Sequence, residues 1–219
     1  MGGAGTTKMA HETKIKNLLI NNTIRLIAEG GFEKATTRAI TYSGGSLPDF
    51  NMNEVYIYRL FGGKEQLYEA AFERLDTKFV WALRRCLPSL KEAHSAVKDR
   101  LYKVFLRAWS FLLQNEVQCR FYIRYYYSVY FRGNAPINHN EIFAEIVDAF
   151  SPLFKEQADV KSIMHNVFTT LLDFAIRVYN GDLEDNEINK THIFNVLYCT
   201  MITYFKEEML IETHISQFT

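Results

Sequence analysis

The stretch that decides the fold runs from Asn53 to Tyr68 and reads NEVYIYRLFGGKEQLY. Its first part favours a short helix, because asparagine can cap a helix start and the glycines at its end can adopt the left-handed conformation of a helix terminus. A longer helix is predicted to begin at Lys64. The stretch therefore predicts two helices separated by a tight turn at Gly62 and Gly63.

Two further helices are predicted upstream of this stretch. Apolar residues recur at helical spacing from Ile15 to Ile27 and predict an amphipathic helix, which Gly30 and Gly31 end. Phe32 follows, and Thr36 can cap a short second helix through its hydroxyl. Four helices are therefore expected to follow one another in the N-terminal part of the chain.

This order of elements resembles the N-terminal domain of the tetracycline-repressor (TetR) family of transcriptional regulators. The shared pattern comprises Gly31-Phe32, Thr36 to Ile40, Tyr58 to Phe61 and Lys64 to Leu67. The resemblance covers the stretch from Lys14 to Leu75 and no motif beyond it. It implies a three-helix helix-turn-helix domain that reads DNA, followed by a helical domain that binds a small effector and forms a dimer.

The resemblance also implies which residues would contact DNA. Tyr58 and Lys64 match positions at which the family touches backbone phosphate, whereas Asn53, Glu54 and Tyr56 lie where base edges can be reached. The predicted DNA-binding residues are Thr36, Thr37, Arg38, Asn53, Glu54, Tyr56, Tyr58, Arg59 and Lys64.

Two features depart from the family pattern. The connection from Gly44 to Asn51 is longer than the usual turn, and its glycines and proline predict a loop. This loop either contacts DNA or bulges into solvent, and we favour the bulge. Glu54 and Leu60 stand where the family often has lysine and histidine, and an acidic residue near phosphates is unfavourable unless it accepts from a base. The alternative of a helical ligand-binding or interaction protein without sequence-specific DNA reading therefore stays open.

Composition limits the class of protein. The chain has 219 residues, of which 48% are hydrophobic, and this is enough for one or two domains with substantial cores. It carries 25 basic and 25 acidic residues, so it is not a general polycation, although a regulator needs only a local basic surface. We predict a cytoplasmic protein without a membrane partner. The three cysteines are scattered, the N-terminus lacks the apolar core of a signal peptide, and no apolar run is long and charge-free enough for a membrane span.

Motifs for catalysis are absent from the sequence. The six histidines form no zinc-binding pattern, and neither a phosphate loop nor a nucleophile elbow occurs. His165 lies in an apolar helical context, where a hydrogen-bonded core residue is a more common role than a catalyst. We therefore expect no enzymatic activity, no metal and no cofactor.

The rest of the chain predicts helices only. Apolar residues recur at helical spacing up to the C-terminal region, and no segment alternates like a strand. The predicted fold is all-α, with a flexible arm over residues 1–13, a helix-turn-helix domain over 14–66, and a helical effector-binding and dimerisation domain over 67–219.

The helix predicted from Val160 to Tyr179 is apolar around more than one face. No formally charged residue occurs between Lys161 and Asp173. A helix of this kind must be covered on nearly all sides. The resemblance implies that this helix and the C-terminal helix pack against those of a second subunit, so we favour a homodimer over a monomer core.

An aromatic run from Phe121 to Phe131 places rings on every side of one helix. So many ring hydroxyls indicate a cavity or an interface in which they find partners, although plain core packing is the commoner role of any single ring. Arg124 either anchors an anionic ligand or reaches solvent along the aromatic surface. The predicted ligand-pocket residues are Phe105, Trp109, Phe121, Tyr122, Arg124, Tyr125, Tyr126, Phe143, Phe150, His165 and Phe168.

These features predict a homodimeric, ligand-responsive DNA-binding transcriptional regulator. Two recognition helices would enter successive major grooves of an operator about one helical turn apart, and so read a near-palindrome. A repressor is expected, from which a small-molecule effector releases the DNA by its differential affinity for two states.

Overall fold

The computed structural model describes residues 3–42, 53–92 and 95–210. Nine α-helices lie within these ranges, with short 3-10 helices at Leu87–Lys91 and Ser151–Leu153. The α-helices are α1 (Gly3–Gly30), α2 (Thr37–Tyr42), α3 (Val55–Phe61), α4 (Lys64–Leu83), α5 (Val97–Gln114), α6 (Glu116–Tyr126), α7 (Ala135–Phe150), α8 (Val160–Tyr179) and α9 (Glu187–Ile202). Extended pairing in the described ranges is limited to one isolated bridge. The predicted all-α fold is confirmed.

Helix α1 begins earlier than the sequence indicated. We expected residues 1–13 to form a flexible arm, whereas α1 starts at Gly3. The residues from Lys8 to Glu12 include good helix formers. Thr13 Oγ1 also donates a 2.9 Å hydrogen bond to the carbonyl of Met9 one turn earlier. The sequence did not indicate this helix because glycines, which are poor helix formers, precede these residues.

The chain forms two compact units. The first, unit 1, comprises Met1–Leu75 and Val117–His139, and the second, unit 2, comprises Asp76–Glu116 and Asn140–Thr219. A boundary between residues 66 and 67 was expected, but the beginning of α4 and most of α6 belong with the N-terminal helices. The reason is an aromatic contact within unit 1, since the Phe72 ring stacks on Tyr122 with centroids 4.5 Å apart.

The core of unit 1 lies where α1 packs against α2 and α3. Its fully buried side chains include Leu19 and Ile27 from α1, Ile40 from α2 and Ile57 from α3. A buried polar contact completes this core, because Asn22 Nδ2 donates a 2.8 Å hydrogen bond to the Ile40 carbonyl. That carbonyl belongs to the last turn of α2, where backbone acceptors have no partner within the helix.

In unit 2, α5 packs against α8 and α9, and α8 packs against α9. The connection between α8 and α9 is held by Asp185, whose carboxylate accepts a 2.9 Å hydrogen bond from Nε1 of the buried Trp109. Helix α8 buries only part of its apolar surface within the protomer, through Ile163, Leu171, Leu172 and Ala175. The described helices include none that is long and apolar enough to cross a membrane.

Candidate functional site

The start of α2 is capped by a side chain, as predicted. Thr36 Oγ1 accepts a 3.1 Å hydrogen bond from the backbone N–H of Ala39. This contact satisfies one of the four amides that a helix start leaves without a partner. Thr36 and Arg38 are exposed, whereas Thr37 is half-buried. The beginning of α2 therefore presents one hydroxyl and one guanidinium at the surface of unit 1.

Helix α3 begins one residue later than its predicted cap implied. Glu54 occupies the cap position without a capping hydrogen bond from its side chain, and Asn53 lies just before it. Asn53 Oδ1 nevertheless accepts a 3.1 Å hydrogen bond from the N–H of Val55. The asparagine thus satisfies the first amide of α3 from outside the helix. A shift of one residue is within the usual uncertainty of a helix boundary.

The end of α3 depends on glycine. Gly62 has a φ of 91°, and its N–H donates a 2.9 Å hydrogen bond to the Tyr58 carbonyl. This left-handed conformation favours glycine because a side chain would be strained there. Lys64 begins α4 directly afterwards, as predicted, and its Nζ lies 5.8 Å from the centroid of the Tyr68 ring.

A side-chain hydrogen bond joins the starts of α2 and α3. Thr37 Oγ1 donates to Glu54 Oε2 at 2.6 Å. The structure therefore brings together two of the predicted DNA-binding residues. From the sequence, Glu54 was expected either to oppose phosphates or to accept from a base edge. Its contact with Thr37 shows that the carboxylate also ties the two helices together.

The outward side of α3 carries Val55, Tyr58 and Arg59, which share one helix face because they are spaced by three and four residues. Ile57 on the opposite face is fully buried, while the exposed fractions of Val55 and Tyr58 are 63% and 58%. We call this surface the α3 outward face. Val55 was not among the predicted DNA-binding residues, since an isolated valine carries no signal in sequence.

One aromatic contact and one ionic contact orient Arg59. Its guanidinium carbon lies 4.6 Å from the centroid of the half-buried Tyr56 ring. Its Nη2 also lies 3.9 Å from Glu12 Oε1, at a separation that makes this a weak surface ion pair. Tyr56, expected to reach base edges, therefore lies partly beneath the arginine.

The predicted loop from Gly44 to Asn51 lies outside the described residues, so its two proposed roles are not distinguished. The remaining predicted DNA-binding residues all belong to unit 1.

The predicted pocket residues are divided between the two units. Those of unit 1 lie mainly in its core, because Phe121, Tyr122 and Tyr125 are buried and Tyr126 is half-buried. The centroids of the Phe72 and Tyr125 rings are 4.8 Å apart. Burial, together with the carboxylates of α4, raises the pKa of the Tyr125 hydroxyl, which therefore stays protonated.

Arg124 is exposed on α6 within unit 1. A Cβ added at Gly31 would lie 3.5 Å from its Nη1, so the guanidinium lies beside the end of α1. A cation at the end of a helix is favourable because the last carbonyls carry partial negative charge. The arginine thus interacts with its own unit in addition to reaching the surface.

Two of the pocket residues of unit 2, Phe143 and Phe168, form an aromatic cluster with Phe79. Phe168 lies 4.8 Å from Phe79 and 5.3 Å from Phe143, measured between centroids. Phe143 and Phe168 are half-buried, whereas Phe105, Trp109 and Phe150 are buried. His165 was expected in the core. It is instead exposed, on the polar side of α8.

Three carboxylates spaced by four residues on α4 form a ladder that the sequence did not single out, namely Glu65, Glu69 and Glu73. Glu65 pairs with Arg132, with a 3.0 Å separation, and Asn138 Nδ2 donates to both Glu69 and Glu73. Partial burial and the neighbouring Glu73 charge raise the pKa of Glu69. Across the described residues, no group of three or more histidine, cysteine or acidic side chains is arranged to hold a metal ion.

No protein-family model matches this sequence, and no curated protein matches it. Solved structures do resemble the chain. A TetR family transcription regulator from Marinobacter aquaeolei VT8 has a TM-score of 0.68 and 15% identity, with 89% of this chain and 97% of that chain covered. A putative TetR family regulator from Shewanella sp. PV-4 also has a TM-score of 0.68 and 15% identity, with 88% and 98% covered.

The regulator FadR from Bacillus subtilis, solved in complex with stearoyl-CoA, has a TM-score of 0.58 and 18% identity, with 83% of this chain and 96% of that chain covered. At these identities the likeness concerns the fold. The chain has the all-α fold of the TetR family transcription regulators.

Proposed function

We propose that the protein is a DNA-binding transcriptional regulator in which unit 1 reads the duplex. The observation that carries this proposal is the α3 outward face. A short helix buries Ile57, turns Val55, Tyr58 and Arg59 outward, and is tied to the preceding helix by the Thr37–Glu54 hydrogen bond. A helix held in this way can enter the major groove, which is wide enough for it.

Contacts with phosphate would come from the residues around this face. Arg38 is exposed at the start of α2, and Tyr58 is exposed on α3, while Lys64 is half-buried at the start of α4. Such contacts position a protein on DNA without reading the sequence. The Glu54 carboxylate accepts a hydrogen bond from Thr37. Its negative charge is therefore less unfavourable for phosphate binding nearby than the sequence implied.

We infer that α8 and α9 pair with those of a second copy. Several apolar side chains of α8 remain half-buried within the protomer, namely Met164, Val167, Phe174, Ile176 and Val178. On α9, Ile188 has an exposed fraction of 80%. Covering these side chains in a homodimer would bury apolar area that the single chain leaves in water. A dimer would also carry two copies of α3, the number that a near-palindrome requires.

A small apolar effector is proposed to act through unit 2. Phe143 and Phe168 support this site, because both rings are half-buried beside Phe79 and so offer apolar surface to a ligand. The similar FadR was solved with stearoyl-CoA. A long-chain acyl-CoA is therefore the first ligand class to test. In the proposed repressor, the ligand would bind the DNA-free state more tightly and release the operator.

The second candidate function is a helical interaction protein in the cytoplasm that does not read DNA. It is favoured by the exposed Glu54, which places an acidic group at the surface that would face the duplex. We propose binding rather than catalysis in either case. The two candidates differ in one measurable property, namely affinity for a specific duplex.

The test is selection of bound fragments from random duplex DNA with the full-length protein. We expect enrichment of a near-palindrome whose half-sites lie about one helical turn apart. Arg38→Ala should weaken binding to the selected duplex, and Arg85→Ala, an exposed arginine of unit 2, serves as the matched control. Failure to enrich any sequence at low salt would reject the regulator and leave the interaction protein.

A further inference from the structure

The α3 outward face has an apolar centre. Around a helix of this pitch, Val55 lies between the directions of Tyr58 and Arg59, and opposite the buried Ile57. With 63% of its surface exposed, the valine projects its two methyl groups away from the unit. Valine is also a poor helix former, so its presence here is not explained by the stability of α3.

Three polar residues near Val55 have contacts within unit 1. Asn53 Oδ1 accepts from the Val55 amide, and one oxygen of Glu54 accepts from Thr37. Arg59 contacts the Tyr56 ring and Glu12. At the centre of this face, the side chain that reaches outward is the apolar Val55.

In the major groove, one base presents an apolar group, the 5-methyl of thymine. We propose that Val55 contacts this methyl group and makes the protein prefer thymine at one position of each half-site. The proposal rests on the proposed function, because it requires α3 to enter the groove. Charge supports a duplex as the occupant, since Arg59 lies one turn from Val55 on the same face.

The experiment uses the full-length protein and the duplex that it selects from a random library. Each thymine is replaced singly by deoxyuridine, which removes the 5-methyl and keeps the hydrogen-bonding edge. Affinities are measured by fluorescence anisotropy at fixed salt. For the unchanged protein we expect one position in each half-site at which the replacement weakens binding about fourfold, as for one uncovered methyl-sized group.

The variant Val55→Ala should bind the thymine and deoxyuridine duplexes equally at that position. It should fold, because the site is exposed and alanine is the better helix former, and circular dichroism checks this. Val129→Ala, the same substitution at an exposed valine of unit 1 outside this face, is the matched control, which should retain the fourfold difference.

Two results would overturn the inference while leaving the regulator in place. The first is equal affinity of the unchanged protein for every deoxyuridine duplex, and the second is full discrimination by Val55→Ala. Selection of no duplex at all would instead contradict the proposed function, and this inference with it.

Discussion

The hydroxyl of Thr37, the first residue of α2, donates a 2.6 Å hydrogen bond to the carboxylate of Glu54, directly before α3. The two residues are separated by 17 positions, so the contact joins parts of unit 1 that are distant in the chain. A hydrogen bond to a charged acceptor is stronger than one between neutral groups. It joins the first residue of α2 to the residue before α3 within unit 1.

Removal of this hydrogen bond should weaken unit 1. The isosteric change Thr37→Val keeps the shape of the side chain and leaves Glu54 without its donor. We expect the free energy of unfolding to fall by about 1 kcal/mol, since the pair is partly exposed to water. Denaturant unfolding of Thr37→Val, Glu54→Ala and the double variant measures the coupling, because alanine has no side-chain acceptor. Strictly additive effects would show that the contact contributes nothing.

Lys64 is expected to contribute affinity without sequence preference. In the proposed complex its ammonium group contacts a phosphate, so Lys64→Ala should weaken binding to every duplex and lower the slope of log affinity against log salt by about one unit. A salt titration by anisotropy measures this slope. Lys78→Ala, an exposed lysine further along α4, is the control and should leave the slope unchanged. Identical titrations for both variants would remove Lys64 from the interface.

The homodimer is tested at Ile188 rather than at the core of α8. Leu171 is buried within the protomer, so a charge there would disrupt the chain itself. Ile188 is exposed in the protomer, and Ile188→Glu should convert dimers into folded monomers, because the proposed interface would bury an unpaired charge.

Sedimentation velocity at micromolar concentration measures the mass of the assembly. Val129→Glu, at an exposed apolar site of unit 1, should remain dimeric. A wild-type monomer would contradict the proposed assembly.

Glu69 should make stability depend on pH. Its pKa is raised in the folded protein by partial burial and by Glu73, so the folded state holds the proton more tightly than the unfolded state. Stability is therefore favoured below the unfolded pKa and is lost as the pH rises through the folded value. Glu69→Gln should raise Tm at pH 7 by roughly 1 to 2 °C, as expected for removal of one like-charge pair at i,i+4.

Thermal melts at several pH values test this expectation. The gain in Tm should shrink as the pH falls through the folded pKa, since the wild-type carboxylate then becomes neutral as well. Glu156→Gln, which removes an exposed carboxylate outside α4, is the control. A gain that does not change with pH would show that charge repulsion is not its cause.

Local signals explain how much of the fold could be predicted. The cap at Thr36, the glycine end of α3 and the start of α4 at Lys64 all depend on residues a few positions apart. The helical arm at residues 3–13 was missed because glycines near the start outweighed the helix formers after them. For the candidate site, the sequence predicted the helices α2, α3 and α4 as elements, but it did not single out Val55, whose exposure depends on the burial of Ile57.

The amino-acid sequence by itself determined the all-α class and the order of the N-terminal helices, because helix periodicity and capping act within a few residues. Only the tertiary structure decided that Phe72 packs on Tyr122, that Glu54 accepts from Thr37, and that the predicted pocket residues belong to two units. These contacts join residues far apart in the chain. Their free energy depends on which surfaces meet, and no local pattern of residues specifies that.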